Sequence, residues 1–155
     1  MTLTTHTAMG AVIGQMSGNP FLAFLLGFFI HLLIDIIPHG DTTMAKNFRV
    51  YGRKRKRAVA YVFIDAICAI FFVLFIFNGK PFLSTQTVTW AIVGSVLPDL
   101  LVGLYDFTKT KYLRWFFRLH FFFHNYLVDR RGKDVPLKYA LILQVVFIVY
   151  LQSML

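Results

Sequence analysis

The sequence predicts an all-α polytopic membrane helical bundle, and three observations lead to that fold class. Of its 155 residues, 57% are hydrophobic and 17% aromatic, and the mean hydropathy is +0.64, an apolar share above that of ordinary soluble proteins. Several apolar runs approach the roughly 20 residues that a bilayer-spanning helix needs. Positive charges cluster beside these runs, as the positive-inside rule expects. The length fits a single integral membrane domain over residues 1–155.

Turn signals divide the chain into six predicted helices. Gly18-Asn19 is a turn signal and Pro20 suits the first position of a helix, so the first two helices should form an N-terminal hairpin. The small residues Gly10 and Gly14 would let the two helices of this hairpin approach closely. The predicted helices span residues 7–17, 20–37, 58–77, 86–105, 110–128 and 137–154.

The distribution of charge predicts the topology. The basic loops 46–57 and 130–138 should be cytoplasmic, and an outer turn falls at residues 78–81. Segment 110–128 alternates cations with aromatics, which is typical of an amphipathic helix lying at the interface. The net charge of +9 is explained by topology, so we expect no nucleic-acid partner. Residues 1–7 carry no positive n-region, which argues against a cleaved signal peptide, and the short loops favour a prokaryotic plasma (inner) membrane.

The stretch GFFIHLLIDIIPHGD, residues 27–41, carries the densest polar pattern. His31 and Asp35 are four residues apart and share one face of a helix. Pro38 should end that helix, and His39 and Asp41 would follow at its mouth. Ionisable side chains within a membrane helix mark a functional site by default.

Other ionisable residues should lie at the same level. His6 and His31 are about equally far from the first turn, and Asp65 and Asp99 are equally far from the outer turn, so the helical rise places each pair at one depth. The chain contains no glutamate, and only Asp129 and Asp134 clearly lie outside this set, in the loop before the last helix. Acidic residues that served general solubility would not be so confined.

This grouping predicts a metal site. Carboxylates without partners repel one another and are costly to bury, and a cation would relieve both penalties. Histidine with aspartate suits Zn most, with Mn or Fe possible, as one or two divalent ions. The single cysteine, Cys68, excludes a Cys-based site or an internal disulfide. The predicted metal ligands are His6, His31, Asp35, His39, Asp65 and Asp99.

Each of these residues also has a structural alternative. His6 could be an ordinary terminal residue, and His39 and Asp41 could simply belong to the turn in which they lie. His31 and Asp35 could form a buried hydrogen-bonded pair, and Asp65 could cap a neighbouring helix. Asp99 could accept backbone N–H groups freed at the Pro98 kink. His120 and His124, at i, i+4 spacing on one helical face, could be interfacial aromatics that snorkel. A shared metal site explains all of these residues at once and is the preferred interpretation.

The segments TTHTAMGAVIG, HLLIDIIPHGD and GSVLPDL resemble the LexA-regulated, membrane-bound metal-dependent hydrolase family, which is distantly similar to zinc-dependent phospholipase C. The resemblance covers about residues 5–106. It matches His6 to the histidine of the family's T-H-x-x-x-G segment and Asp99 to the aspartate of its L-P-D motif. His31 and Asp35 match the H-x-x-x-D helix of the phospholipase C-like sites. The resemblance implies a small multi-helix membrane fold and hydrolysis that depends on a metal.

The chain departs from the family pattern at one position. The family has a further aspartate two residues after its P-D, where this chain has Leu101. Asp65 or Asp106 would supply the missing ligand, so the number of ions stays open.

The predicted function is hydrolysis of a phosphate ester at the cytoplasmic interface, with a phospholipid or a lipid-linked phosphate as the candidate substrate. Two metal ions would activate water and hold the phosphate. Asp41 is the candidate base, and His120 and His124 complete the ligand shell or act as general acid. Membrane lipids are the environment and the possible substrate. The residues expected to attract an anionic headgroup are Arg53, Arg55, Arg57, Arg114 and Arg118.

Two further functions remain alternatives at this stage. Buried Asp and His also mark metal-ion or proton transport, but such a pathway would spread carboxylates across the membrane, and no inverted repeat is evident. A structural membrane protein could use the same residues for helix packing. That alternative predicts no bound metal and tolerance of asparagine at Asp99.

Overall fold

The computed structural model describes residues 1–49, 52–79 and 81–155. These residues form seven α-helices, one 3₁₀ turn and no strand, which confirms the all-α class. The predicted outer turn includes Lys80 and the predicted basic loop includes Val50 and Tyr51, which lie outside the described residues. The helices are α1 (Leu3–Met16), α2 (Pro20–Ile34), α3 (Thr42–Phe48), α4 (Arg53–Gly79), α5 (Thr85–Thr108), α6 (Arg114–Arg131), with the 3₁₀ turn Lys111–Leu113 before it, and α7 (Leu137–Ser153).

Helix α5 makes the most extensive packing contacts of the bundle, against α2 and α1. Glycines allow these close approaches. A Cβ added at Gly10 would lie 2.9 Å from the Ala91 carbonyl oxygen, and one added at Gly14 or Gly27 would collide with the α5 backbone. Gly94 of α5 meets the backbone of α2 in the same way. The small residues of α1 therefore contact α5, and the prediction that they contact α2 is corrected.

Helix α4 packs against α1 and α3, and its contact with α5 is slight over the described residues. The outer turn at residues 78–81 and the equal distances of Asp65 and Asp99 from it predict that these two helices lie side by side as an antiparallel hairpin. Instead, α1 packs against both helices, and residues of both line the cavity described below.

Several helix boundaries differ from the prediction, and α1 already begins at Leu3, four residues before its predicted start. The predicted basic loop contains α3, and α4 begins within the basic run at Arg53. Helix α2 ends at Ile34, three residues before the predicted end. After it, Ile36 N donates to the Leu33 carbonyl and Ile37 N to the Ile34 carbonyl, a tightened last turn of the 3₁₀ type. The tightening places Asp35 at the end of the helix, where it still reaches His31.

The exterior of the bundle is apolar. Helices α4 and α5 are long and apolar enough to cross a membrane by length and composition, and only 11% of the most apolar stretch of α4 is buried. Phe63 and Phe71 on α4 are 66% and 67% exposed. Burial within the described chain therefore does not account for the apolar composition of α4.

Candidate metal centre

Four ionisable side chains from three parts of the bundle meet in a first group. His31 lies on α2, Asp35 directly follows α2, Asp99 lies on α5 and His120 on α6. Their nearest ligand atoms all lie within 4.8 Å of one another. His31 Nε2 is 3.3 Å from Asp35 Oδ2 and 3.6 Å from Asp99 Oδ1, and His120 Nε2 is 3.6 Å from Asp35 Oδ2. These atoms could hold a metal ion.

A second group consists of His39, Asp41 and His124. The two histidine Nε2 atoms are 3.1 Å apart, and each is 3.1 Å from Asp41 Oδ1. Tetrahedral zinc with bonds of about 2.0–2.1 Å keeps its ligand atoms about 3.3 Å apart. The three atoms of the second group therefore have nearly the spacing of three zinc ligands.

Backbone carbonyls fix which nitrogen of each histidine faces the groups. His31 Nδ1 lies 2.7 Å from the Ser95 carbonyl oxygen, and His39 Nδ1 lies 2.6 Å from the Ile37 carbonyl oxygen. A carbonyl only accepts hydrogen bonds, so Nδ1 carries the hydrogen in both rings and donates it. In the neutral ring the Nε2 lone pair then points into the group. This is the arrangement by which second-shell contacts orient metal-binding histidines.

Several buried atoms in the groups have no hydrogen-bond partner among the described residues. They include His31 Nε2, Asp35 Oδ2 and Asp41 Oδ1. A buried polar atom without a partner costs about 1–3 kcal/mol, and more when it is charged. Asp35 Oδ2 and Asp41 Oδ1 carry lone pairs, as does His31 Nε2 when its ring is neutral, so a cation would satisfy all three atoms together. The residues present therefore fit a metal ion.

In the second group, the Asp41 carboxylate and the His124 imidazole shift one another's pKa values toward their charged forms. Burial alone would raise the pKa of Asp41, but the close approach of the His124 and His39 rings to its carboxylate outweighs burial and holds that pKa well below its ordinary value. Burial would lower the pKa of His124, but the Asp41 carboxylate overcomes this effect and raises it. In the first group, burial lowers the pKa of His120 to about 4, so His120 is neutral at pH 7 and can donate a lone pair.

His6 lies beside the first group and belongs to neither group. Its ring stacks on His31 with centroids 3.7 Å apart, and its Nε2 approaches Asp35 Oδ1 to 3.1 Å. The Met1 ammonium contacts the same Asp35 oxygen at 2.5 Å and His39 Nε2 at 2.8 Å, and so links the two groups. Sequence reasoning missed this contact, because every chain has a terminal amine and nothing in the sequence marks one as special.

Asp65 caps a helix instead of joining either group. Its carboxylate accepts from Leu3 N at 2.5 Å, from Thr4 N at 3.2 Å and from Thr4 Oγ1 at 2.7 Å. The two backbone N–H groups belong to the first turn of α1, where they have no hydrogen-bond partner within the helix. Asp65 therefore has the capping role that the sequence left open as an alternative. The prediction that Asp65 is a metal ligand is corrected.

Asp134 organises the turn that carries the second group. It accepts from Gly40 N at 3.0 Å, Thr42 N at 3.2 Å and Thr42 Oγ1 at 2.6 Å. Gly40 adopts φ +80, a left-handed conformation that favours glycine, and packs tightly against Leu137. Hydrogen bonds from these donors outweigh the effect of burial and lower the pKa of Asp134. Sequence analysis placed Asp134 outside the site, because it lies 93 residues from Asp41 in the chain.

A cavity of about 640 Å³ opens onto both groups. Asp99 and His120 of the first group and Asp41 and His124 of the second line it, and most of the remaining lining is apolar. None of the arginines predicted to attract a headgroup belongs to the described lining, whereas Arg49 does. The apolar lining comes from α3, α4, α5 and α6 and includes Met44, Phe48, Val62, Phe63, Leu100, Leu104, Phe107 and Phe121.

Comparison of the chain with protein-family models, with curated proteins and with solved structures finds no significant match. The resemblance to the LexA-regulated hydrolase family therefore stays a prediction from three short segments.

Proposed function

We propose that this protein is a membrane-embedded, metal-dependent hydrolase that cleaves a phosphate ester carried by an amphiphilic molecule. One observation carries the proposal: two groups of buried histidine and aspartate ligands, with unpartnered atoms, open onto one largely apolar cavity. Lewis-acid hydrolysis needs such ligands, and a ligand with an acyl or isoprenoid chain needs such walls. The three sequence segments that resemble the hydrolase family support the same reaction class.

The exposed apolar surface supports placement in a membrane. Helices α4 and α5 have the required length and hydropathy, and large apolar side chains such as Phe71 and Val146 face outward. In water such a surface would favour aggregation, whereas in lipid it matches its surroundings. We place the basic segments 46–57 and 130–138 on the cytoplasmic side, following the bias of Lys and Arg, in a prokaryotic plasma membrane.

Zinc is the metal that the donor set favours, because all seven grouped residues offer imidazole nitrogen or carboxylate oxygen at close spacing. Manganese or iron accepts the same donors. A bound metal would supply activated water and would polarise the phosphate. The grouping moves Asp41, His120 and His124, predicted as acid or base, into the proposed ligand set.

Exposure indicates the side from which a substrate approaches. The side chains of Asp99 and Asp41 are 31% and 22% exposed, and both line the cavity, while the Asp35 side chain is 1% exposed. We assign Asp35 to holding the first group together and Asp41 and Asp99 to the substrate-facing side. From that side, either carboxylate can accept a proton from an approaching water.

The test is the metal content of detergent-purified protein. We expect stoichiometric Zn, Mn or Fe in the wild type, and loss of metal and of phosphate-ester hydrolysis in His31→Ala and Asp99→Ala. Asp129→Asn is the matched control, because Asp129 is exposed and lies outside both groups; it should keep both. Wild-type protein prepared without chelator that contains no metal would overturn the proposal, and so would full activity in both alanine variants.

A further inference from the structure

Arg49 directly follows α3 and lines the cavity together with Asp99, His120 and His124. Its guanidinium carbon lies 4.6 Å from the centroid of the Phe121 ring and 4.8 Å from that of Phe117. Such stacking holds an arginine side chain in one orientation.

One ring separates Arg49 from the metal groups. The Phe121 ring lies 5.4 Å from the His120 ring and 5.3 Å from the His124 ring, between centroids. Arg49, His120 and His124 line the same cavity, so the guanidinium and the ligand groups face one shared space.

The hydrogen bonds of Arg49 to Asp106 use only one edge of its guanidinium group. Nε lies 3.2 Å and Nη2 lies 3.1 Å from Asp106 Oδ2, and Nη1 makes no hydrogen bond to the described residues. Asp106 also accepts from Lys109 Nζ at 2.6 Å. Two cations therefore share one carboxylate, so this cluster carries a net positive charge at the edge of the cavity.

We propose that Arg49 is the anion-binding residue of the cavity and that its ligand is an amphiphile with a phosphate head and an apolar chain. The phosphate accepts from the outward edge of the guanidinium, for which arginine geometry is well suited, and the chain lies along the apolar walls. The binding itself follows from the geometry of the cavity. The role of the ligand as substrate rests on the proposed function.

A purely structural role is the competing explanation, because the Arg49–Asp106 pair also ties the end of α3 to α5. The two explanations differ for Asp106→Asn. A structural pair would suffer from the loss of either partner. If Arg49 binds an anion, Asp106→Asn leaves the guanidinium in place with less negative charge beside it, and phosphate binding should be at least as tight as in the wild type.

The experiment is calorimetric titration of the detergent-solubilised full chain with butyl, pentyl and hexyl phosphate, with inorganic phosphate and hexanol as comparison ligands. We expect wild-type affinity to rise about fourfold for each added methylene, which corresponds to its burial. Arg49→Gln should weaken binding of hexyl phosphate about 10–100-fold, the effect of losing hydrogen bonds to a charged group, and should leave hexanol binding unchanged.

Arg118→Gln is the matched control, because Arg118 is exposed on α6 and lies outside the described lining of the cavity. It makes the same change in charge and should alter affinity by less than about twofold, the scale of a screened surface charge. Arg49→Lys keeps the charge but loses the fork, and we expect an intermediate affinity. Circular dichroism and gel filtration confirm that each variant is folded.

Three outcomes would overturn the proposal. The first is that Arg49→Gln binds hexyl phosphate as tightly as the wild type, and the second is that Arg118→Gln loses as much affinity for it as Arg49→Gln. The third is that Asp106→Asn loses affinity for hexyl phosphate although it is folded. Affinity independent of chain length would identify the ligand as free phosphate and overturn the amphiphile. Metal content is measured on the same samples. Arg49-dependent binding in protein without metal would support this inference while ending the proposed hydrolase.

Discussion

Replacing Asp65 separates its capping role from metal binding. Asp65→Ala removes the carboxylate that accepts from Leu3 N, Thr4 N and Thr4 Oγ1. Losing a helix N-cap costs about 1 kcal/mol, and losing the hydroxyl hydrogen bond costs about 1 kcal/mol more. We therefore expect the free energy of unfolding to fall by about 2 kcal/mol. For a chain of this size that corresponds to a decrease in Tm of about 4–8 °C.

The assay combines thermal unfolding with metal analysis of the same detergent-purified samples. Asp65→Ala should melt earlier and keep the wild-type metal content, because Asp65 lies outside both ligand groups. Asp99→Ala is the opposite control, since it should lose metal. If Asp65→Ala loses as much metal as Asp99→Ala, then Asp65 acts as a ligand and our assignment of it as a cap is wrong.

Two further predictions concern packing and pH. Gly94→Ala should lower Tm, because the added Cβ would collide with the Phe24 carbonyl at an overpacking cost of about 1–3 kcal/mol. Gly103→Ala is the control and should be neutral or stabilising, because a Cβ added there meets nothing within 4 Å. Equal Tm values for the two variants would contradict the close packing of α2 on α5. Asp134→Asn should also lower Tm at pH 6. Folding lowers the pKa of Asp134. The Asp134 carboxylate therefore stabilises the folded protein fully above its ordinary pKa of about 3.9, and this stabilisation is lost as pH falls through the pKa of the folded state. The difference in Tm from wild type should therefore shrink as pH falls from 6 to 3, and a constant difference would refute this account.

The two ligand groups show why residues of the same type serve different purposes in this chain. Asp35 and Asp41 lie within six residues of one another, yet the end of α2 and the turn at Gly40 direct them into separate groups. The carboxylates of Asp65 and Asp134 instead accept hydrogen bonds from backbone N–H groups. The difference lies in what surrounds each carboxylate after folding: histidine nitrogens in the first case and the first donors of a helix or turn in the second.

The sequence by itself determined the helices and the residues from which the ligand groups are drawn. Apolar periodicity and turn residues are local signals, so α5 and α7 lie within a few residues of their predicted bounds. The i, i+4 spacings of His31 with Asp35 and of His120 with His124 are also local, because one helical turn fixes them.

Only the tertiary structure decided how these parts come together. The close packing of α1 and α2 on α5, the division of the ligands into two groups, the capping by Asp65 and Asp134 and the position of Arg49 on the cavity all depend on contacts between residues far apart in the chain. A count of residues along a helix gives depth, but it does not give the rotation of one helix about its axis relative to another. That rotation is set by side-chain packing between helices, and it determines whether an aspartate faces histidines or the end of a neighbouring helix.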